Sequence, residues 1–213
     1  MADILRQVDE DLRKDRLLRI WRLYGIYIAG FVIVFLIAIA SYQYYLFSTQ
    51  SKNEAIVEKY INAISSTDKS VSIDQLIELD ESSNSYIKGL AKLKRVDLYV
   101  SSEKNELAIK LLMDISADTS LDSMLRDLAL YKYLMLQLNT LDKDQYFELI
   151  RDEHLNQSRF KFLFKELKAL KFLIEGDRIS SLEIFESLIS NPDTPIEVRT
   201  RAEKFKKISK NEQ

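Results

Sequence analysis

Hydrophobic positions are distributed in two different ways along the chain. From Leu23 to Ser51 there is no Asp, Glu, Lys or Arg, although 30% of the sequence is charged. The stretch Gly25–Phe47 inside this gap, GIYIAGFVIVFLIAIASYQYYLF, is apolar on every face of a helix. Roughly 20 helical residues cross a hydrocarbon core about 30 Å thick. The pattern therefore predicts a transmembrane helix, which we place at residues 23–47.

The residues around this stretch favour an uncleaved signal anchor. Aromatic residues that suit the headgroup level flank it on both sides: Trp21, Tyr24 and Tyr27, then Tyr42, Tyr44, Tyr45 and Phe47. A cleaved signal peptide is the alternative, because Ala38-Ile39-Ala40 has the small residues of a cleavage site. The 22 residues before the apolar run carry five acids, however, whereas secretory signals begin with a short basic region.

Basic residues give the predicted span a direction. Six of them precede it: Arg6, Arg13, Lys14, Arg16, Arg19 and Arg22. The twenty residues after it contain only Lys52 and Lys59. Because the positive side stays in the cytoplasm, we expect a cytoplasmic amphipathic segment at residues 1–22 and a translocated domain at residues 48–213.

The composition of the translocated part predicts an all-α domain. The whole chain has only four Gly and two Pro, and Leu, Ile, Lys, Glu and Asp are abundant. It has no cysteine, which excludes disulfides and thiol chemistry, and its net charge of -2 argues against a nucleic-acid partner. Helices are predicted at residues 52–66, 73–80, 86–101, 104–116, 120–139, 142–153, 157–175, 177–190 and 195–209.

Start and stop signals support these helices. Thr194-Pro195-Ile196-Glu197 and Ser72-Ile73-Asp74-Gln75 have the pattern of capping boxes at helix N-termini. Gly176 stands where a left-handed C-terminal cap is expected. The short loops between helices indicate antiparallel neighbours, and hence helical hairpins.

Two of these hairpins resemble each other at an offset of 73 residues, close to two tetratricopeptide periods. In the tetratricopeptide consensus, a small residue in the first helix is followed three residues later by an aromatic, and nine further on by Ala. The residues that fit, which we expect to pack the repeats, are Val96, Tyr99 and Ala108, then Ala169, Phe172 and Ser181. The hairpin at 120–153 fits least well, with Gln145 at the small position. The predicted fold is a degenerate array of about four hairpins with a C-terminal capping helix.

The arrangement of the whole chain resembles the bacterial YfgM-like family. The resemblance rests on MADILRQVDEDLRKDRLLRIWRLYG, a single anchor, and degenerate repeats that end in NPDTPIEVRTRAEKF. It implies an ancillary subunit of the SecYEG translocon in the bacterial inner membrane, with a periplasmic domain that binds proteins. The implied partners are the translocon, periplasmic chaperones or translocating client chains. A scaffold for envelope assembly or cell division is the alternative function.

The sequence predicts no catalytic chemistry, cofactor, metal or small-molecule substrate. An all-helical envelope enzyme is the alternative of another class. The single histidine, His154, follows Asp152 and Glu153, and adjacent helical residues point about 100° apart, which makes a poor metal site. We therefore expect His154 at a solvated helix end.

Two basic stripes are the candidate partner-binding residues. They repeat at the same 73-residue offset and comprise Lys88, Lys92 and Arg95, then Lys161, Lys165 and Lys168. Each stripe lies on one face of a predicted first helix, where it could bind acidic segments of a client or lipid headgroups. The alternative is a solvated face that keeps an apolar helix soluble. The basic last helix is expected to cap the array.

The orientation can be tested with C-terminal fusions. We expect an alkaline phosphatase fusion to be active and a GFP fusion to be dark, because the C-terminal domain is predicted to cross the membrane. Enzyme activity and whole-cell fluorescence are the measurements. An inactive phosphatase fusion together with a fluorescent GFP fusion would place the domain in the cytoplasm.

Overall fold

The computed structural model describes the backbone of residues 2–82 and 84–211. Side chains are described for residues 24, 26–27, 30–31, 33–82 and 84–208. Every regular element in these ranges is helical, so the predicted all-α class is confirmed. The chain divides into two compact units, residues 1–55 and 56–213.

The described part of the first unit, residues 2–55, lies within helix α1, which begins at Ala2 and ends at Ser65. Side chains of the predicted cytoplasmic segment, residues 1–22, lie outside the described residues. So do those of Leu23 and of four other residues in the predicted span, Gly25, Ile28, Ala29 and Val32. Among the residues that are described, no helix combines the length and apolar character needed to cross a membrane. The transmembrane helix stays a prediction.

The second unit contains the end of α1 and nine further α-helices among its described residues. They are α2 (Lys69–Ile77), α3 (Ser85–Val100), α4 (Asn105–Ala117), α5 (Ser123–Leu136), α6 (Lys143–Leu149), α7 (Asp152–Asn156), α8 (Lys161–Ile174), α9 (Arg178–Ser190) and α10 (Ile196–Asn211). A 3₁₀ turn at Glu78–Glu81 follows α2. The predicted segment 142–153 is wrong as a single helix, because the backbone leaves the helical region at Ile150 and Arg151 and separates α6 from α7.

Helices of the second unit pack mainly against their neighbours in the chain. α4 packs against both α3 and α5, and α9 packs against both α8 and α10. α3, α5, α8 and α10 also contact one another in succession. The contact between α3 and α5 is close, since a Cβ added at Gly89 would lie 2.5 Å from Leu125 Cδ1. These contacts make a stack of helical pairs, except in the middle, where α6 and α7 pack mainly against α8.

Three groups of buried side chains hold the stack together. The largest spans α3 to α8 and includes Leu112, Leu134 and Phe164, each fully buried. A second joins Ala63 near the end of α1 to α2 and α3, and a third joins α8, α9 and α10 around Phe185. Most of the helices therefore bury their apolar faces against a neighbouring helix, as in repeat proteins.

Helix boundaries recur at the 73-residue offset seen in the sequence. α4 and α9 are both 13 residues long, and α9 begins and ends 73 positions after α4. α10 likewise begins 73 positions after α5. The middle pair differs, because α6 has only seven residues.

The loops that close the α3–α4 and α8–α9 pairs have the same backbone geometry. Glu103 has φ 59° and Gly176, 73 positions later, has φ 80°. Each loop also contains a 2.9 Å backbone hydrogen bond characteristic of a left-handed helix cap, from Lys104 N–H to Tyr99 O and from Asp177 N–H to Phe172 O. The predicted left-handed cap at Gly176 is confirmed. The one at Glu103 carries no glycine signal in the sequence.

The two predicted capping boxes are wrong. Helix α2 begins earlier than expected, and the carboxylate of Asp68 accepts the capping hydrogen bond from Ser70 N–H at 2.8 Å. Ser72 is buried, and its hydroxyl donates to Ala63 O at 2.7 Å. Before α10, the Thr194 Oγ1 atom is buried and has no hydrogen-bond partner among the described residues. Ser72 thus makes a tertiary contact while Asp68 caps α2, and the Thr194 side chain does not cap α10.

Exchanging residues between the two loops should change stability in opposite directions. A left-handed backbone costs an L-residue about 1–2 kcal/mol, a cost that glycine avoids. We expect Glu103→Gly to raise the free energy of unfolding by about 1 kcal/mol and Gly176→Glu to lower it by about 1 kcal/mol. Urea unfolding of the full chain in detergent, followed by circular dichroism, measures both. Equal stability of all three proteins would contradict this backbone geometry.

Candidate protein-binding surface

The first basic stripe, on α3, is largely used inside the fold. Lys92 Nζ lies 3.2 Å from Asp118 Oδ2, and Arg95 Nη1 lies 2.6 Å from Asp80 Oδ2. Arg95 is only 8% exposed, and Lys88 is half-buried. Hydrogen bonds from Ser120, with further help from Lys92, lower the pKa of Asp118 to about 2. Two of these three cations are therefore neutralised by carboxylates of neighbouring segments.

The second basic stripe, on α8, differs from the first in its pairing. Lys161, Lys165 and Lys168 are half-buried, and none of them forms an ion pair with the described residues. One reason is visible in the repeat, since the residue 73 positions after Asp118 is the neutral Asn191. Three cations on one helix face thus remain without a counter-charge from the described part of the chain.

Aromatic rings from α6 and α8 lie beside this stripe. The ring centroids of Phe147 and Phe172 are 4.6 Å apart. Lys168 Nζ lies 5.7 Å from the Phe147 ring, and Lys143 Nζ lies 4.9 Å from the Phe172 ring. We name this group the α8 surface; its members are Lys143, Phe147, Lys161, Lys165, Lys168 and Phe172. Sequence reasoning missed Lys143 and Phe147, because helical periodicity relates positions within one helix and these lie on another.

The residues expected to pack the repeats lie in the interior or at its edge. Val96, Ala108, Ala169 and Ser181 are buried: Val96 has 2% of its surface exposed and the others none. Tyr99 and Phe172 are half-buried. In the middle pair Gln145 is exposed, and its neighbour Tyr146 is fully buried with its hydroxyl donating to Leu134 O at 3.3 Å.

The interpretation of His154 as a solvated residue is wrong. The residue is 5% exposed, and its imidazole lies against the Phe164 ring, with centroids 5.2 Å apart. Its Nδ1 accepts a hydrogen bond from Arg151 N–H at 3.0 Å, which caps the first turn of α7. Burial lowers the pKa of His154, against the opposing effect of Asp127 and Glu153. In the part of the chain that is described, no three His, Cys, Asp or Glu side chains are placed to hold a metal ion.

A polar groove lies next to His154. It has a volume of about 660 Å³ and is formed by the C-terminal ends of α4 and α6, the N-terminal half of α5, and α7 with the residues after it. Arg126, Asp127 and Glu148 are among its lining residues. No sequence motif marks this groove, because its residues come from four separate segments.

Comparison of the chain with protein-family models, curated proteins and solved structures gave no match. The resemblance to the YfgM-like family therefore stays a prediction from the sequence.

Stability should fall below about pH 6.5 because of His154. The folded state resists protonation of this buried imidazole, whereas the unfolded chain takes up a proton with the ordinary pKa of 6.5. The contribution is therefore complete above that pH and is lost as the pH falls toward the lowered folded-state pKa. We expect His154→Gln, which keeps an acceptor at the third position of α7 but does not titrate, to reduce the loss.

The measurement is the free energy of unfolding of both proteins at about pH 7.5 and about pH 5.5. His154→Ala serves as a control, since it removes both the titrating group and the cap and should be destabilised at either pH. An identical pH dependence in the native protein and His154→Gln would contradict a buried, neutral His154.

Proposed function

We propose that this chain is a single-pass protein of the bacterial inner membrane whose periplasmic domain binds other proteins. In this proposal residues 1–22 are cytoplasmic, residues 23–47 are a signal anchor, and residues 48–213 contain a tetratricopeptide-like array of helical hairpins. The binding partners are the Sec translocon, a periplasmic chaperone, or client chains that are leaving the translocon.

Exposed apolar side chains support the anchor. Among the side chains described between Tyr24 and Phe47, fifteen large hydrophobic ones are exposed, each by 41% or more. Apolar surface in contact with water is unfavourable by roughly 25 cal/mol for each Å². A continuous surface of this kind is typical of a segment that contacts lipid or another protein.

The stack of helical pairs supports the tetratricopeptide-like array. Two pairs share loop geometry and helix length at the 73-residue offset, and small buried residues recur at Ala108 and Ser181. Successive contacts among α3, α5, α8 and α10 are those expected when first helices stack side by side. Arrays of this type present a continuous face to extended or helical peptides.

The main support for the binding proposal is that two basic residues of the α3 stripe form ion pairs within the domain, whereas those of the α8 stripe form none with the described residues. Lys92 and Arg95 are neutralised by Asp118 and Asp80, whereas Lys161, Lys165 and Lys168 have no described carboxylate partner. The α8 surface therefore offers positive charge beside half-buried rings, which suits acidic segments that also carry apolar side chains.

The membrane anchor compensates for a modest binding affinity of the α8 surface. Confinement to the membrane raises the effective concentration of the domain near translocating chains, so that modest affinity is enough for capture. The resemblance to the YfgM-like family supports the translocon as the place of action. Capture and release in this proposal follow binding equilibria and need no ATP.

Charge reversal on the α8 surface tests the proposal. We expect the triple variant Lys161→Glu, Lys165→Glu and Lys168→Glu to lose most crosslinking to translocon, chaperone or client proteins. The changed surface should repel the acidic partner segments that the native surface attracts. The measurement is in-vivo photo-crosslinking from a probe residue placed at Asp144, an exposed position of α6 three residues before Phe147.

A matched control carries the same change of charge elsewhere on the domain. The triple variant Lys104→Glu, Lys110→Glu and Lys204→Glu alters three exposed lysines outside the α8 surface. We expect it to crosslink as the native protein does. Equal crosslinking by both triple variants, or no adduct with any of these partners from the native protein, would remove the proposal.

A further inference from the structure

The polar groove beside His154 arises because the second layer of the stack is incomplete. α4 and α9 each have 13 residues, whereas α6, the corresponding helix of the middle pair, has seven. The chain then turns through Ile150 and forms the short helix α7. The space that a longer α6 would fill is the groove of about 660 Å³, a volume typical of ligand sites.

An arginine that has no partner among the described residues lines this groove. Arg126 on α5 corresponds to Arg199 on α10 at the 73-residue offset. The Nε atoms of both are buried without a hydrogen-bond partner among the described residues. The terminal nitrogens differ: Arg199 Nη2 donates to three backbone carbonyls of the α9–α10 loop at 3.1–3.2 Å, whereas Arg126 has no hydrogen bond or ion pair within the described part of the chain.

A half-buried guanidinium that no described residue pairs with needs an explanation. Buried polar groups in folded proteins nearly always have hydrogen-bond partners, and an unmatched one is destabilising. Arg199, at the equivalent position, has a structural role, because its guanidinium donates hydrogen bonds to the α9–α10 loop. Arg126 faces the groove instead. Among the described residues Arg126 therefore holds no loop or ion pair, and its guanidinium is available to a ligand in the groove.

The other charges of the groove narrow the choice of ligand. Arg151 and Glu153 neutralise each other at 3.0 Å, and His154 is held toward its neutral form by burial. Asp127 and Glu148 add negative charge to the lining around Arg126. A ligand that carries both signs of charge matches this lining better than a simple anion does. Extended peptides provide such a pattern along one backbone.

We propose that the groove binds an extended peptide segment, with a carboxylate of the peptide paired to the Arg126 guanidinium and a basic side chain near Asp127 and Glu148. Arginine binds carboxylates through two parallel hydrogen bonds, which fixes the position of the peptide as well as its charge. The site is separate from the α8 surface, so that either one can fail without the other.

Stability separates a binding role of Arg126 from a structural one. We expect Arg126→Gln to leave the urea midpoint of the full chain in nanodiscs unchanged or slightly higher, because Arg126 makes no hydrogen bond or ion pair with the described residues. Arg199→Gln, the repeat-equivalent control, should lower the midpoint, since three hydrogen bonds to its loop are lost. A fall for Arg126→Gln as large as that for Arg199→Gln would assign Arg126 to the fold and overturn the proposal.

Binding is tested with two peptide probes and the same full chain. The first probe is acetyl-Ala-Lys-Ala-Glu-Ala-amide, and the second has Gln in place of Glu. We expect the first to shift the NMR signal of the Arg126 Nε–H group and to bind about tenfold more tightly than the second. Arg126→Gln should abolish that preference, while the triple reversal on α8 should preserve it.

Three results would overturn the assignment: equal affinity for the two probes, an unchanged preference in Arg126→Gln, or displacement of the peptide by an equal concentration of acetate. The last would assign the groove to a small carboxylate. Loss of the preference in the α8 variant alone would place peptide binding on the α8 surface.

Discussion

The second unit depends on how closely the two helices of a pair approach each other. At the crossing of α3 with α4 and of α8 with α9, the residues Ala108 and Ser181 have no exposed surface. A larger side chain there would hold the helix backbones apart and open the core. The large buried residues around them, such as Leu112 and Phe185, fill the space that this close approach defines. Because no pair can bury its apolar face alone, each closely packed pair in turn requires a neighbour.

Polar groups inside the stack show how the repeats have diverged. Glu166 and Arg201 form two hydrogen bonds of 2.7 and 2.6 Å, and the residues 73 positions earlier are Leu93 and Leu128. An ion pair and an apolar pair thus occupy equivalent places. Lys171, 1% exposed, donates to two carbonyls of the loop between α5 and α6 and pairs with Glu175 at 2.6 Å. These groups have hydrogen-bond partners inside the fold, which is why they are structural, whereas the Arg126 guanidinium has none among the described residues.

Local sequence signals predicted most of the helices but only some of the caps at their ends. The left-handed cap at Gly176 follows from the freedom of glycine, and the predicted helices lie within a few residues of α3, α4, α8 and α9. Glu103 takes the same conformation without a glycine, because the packing of α3 against α4 imposes the turn. Ser72 and Thr194 have the sequence of helix caps, but neighbouring segments bury both. His154 is polar and follows two acids, yet α8 covers it with Phe164.

The sequence by itself determined the all-α class, the 73-residue offset and the positions of the basic stripes, because these depend on periodicity and on backbone preferences within short segments. Only the tertiary structure decided which basic residues form ion pairs with carboxylates and which have no such partner among the described residues. Asp80 and Asp118 reach α3 from segments 15 and 26 residues away, and no corresponding carboxylate reaches Lys165 from the described residues. The groove beside His154 has the same origin, since it exists only where four separate segments meet. A helix fixes the face on which a residue lies, but the fold of the chain fixes what that face meets.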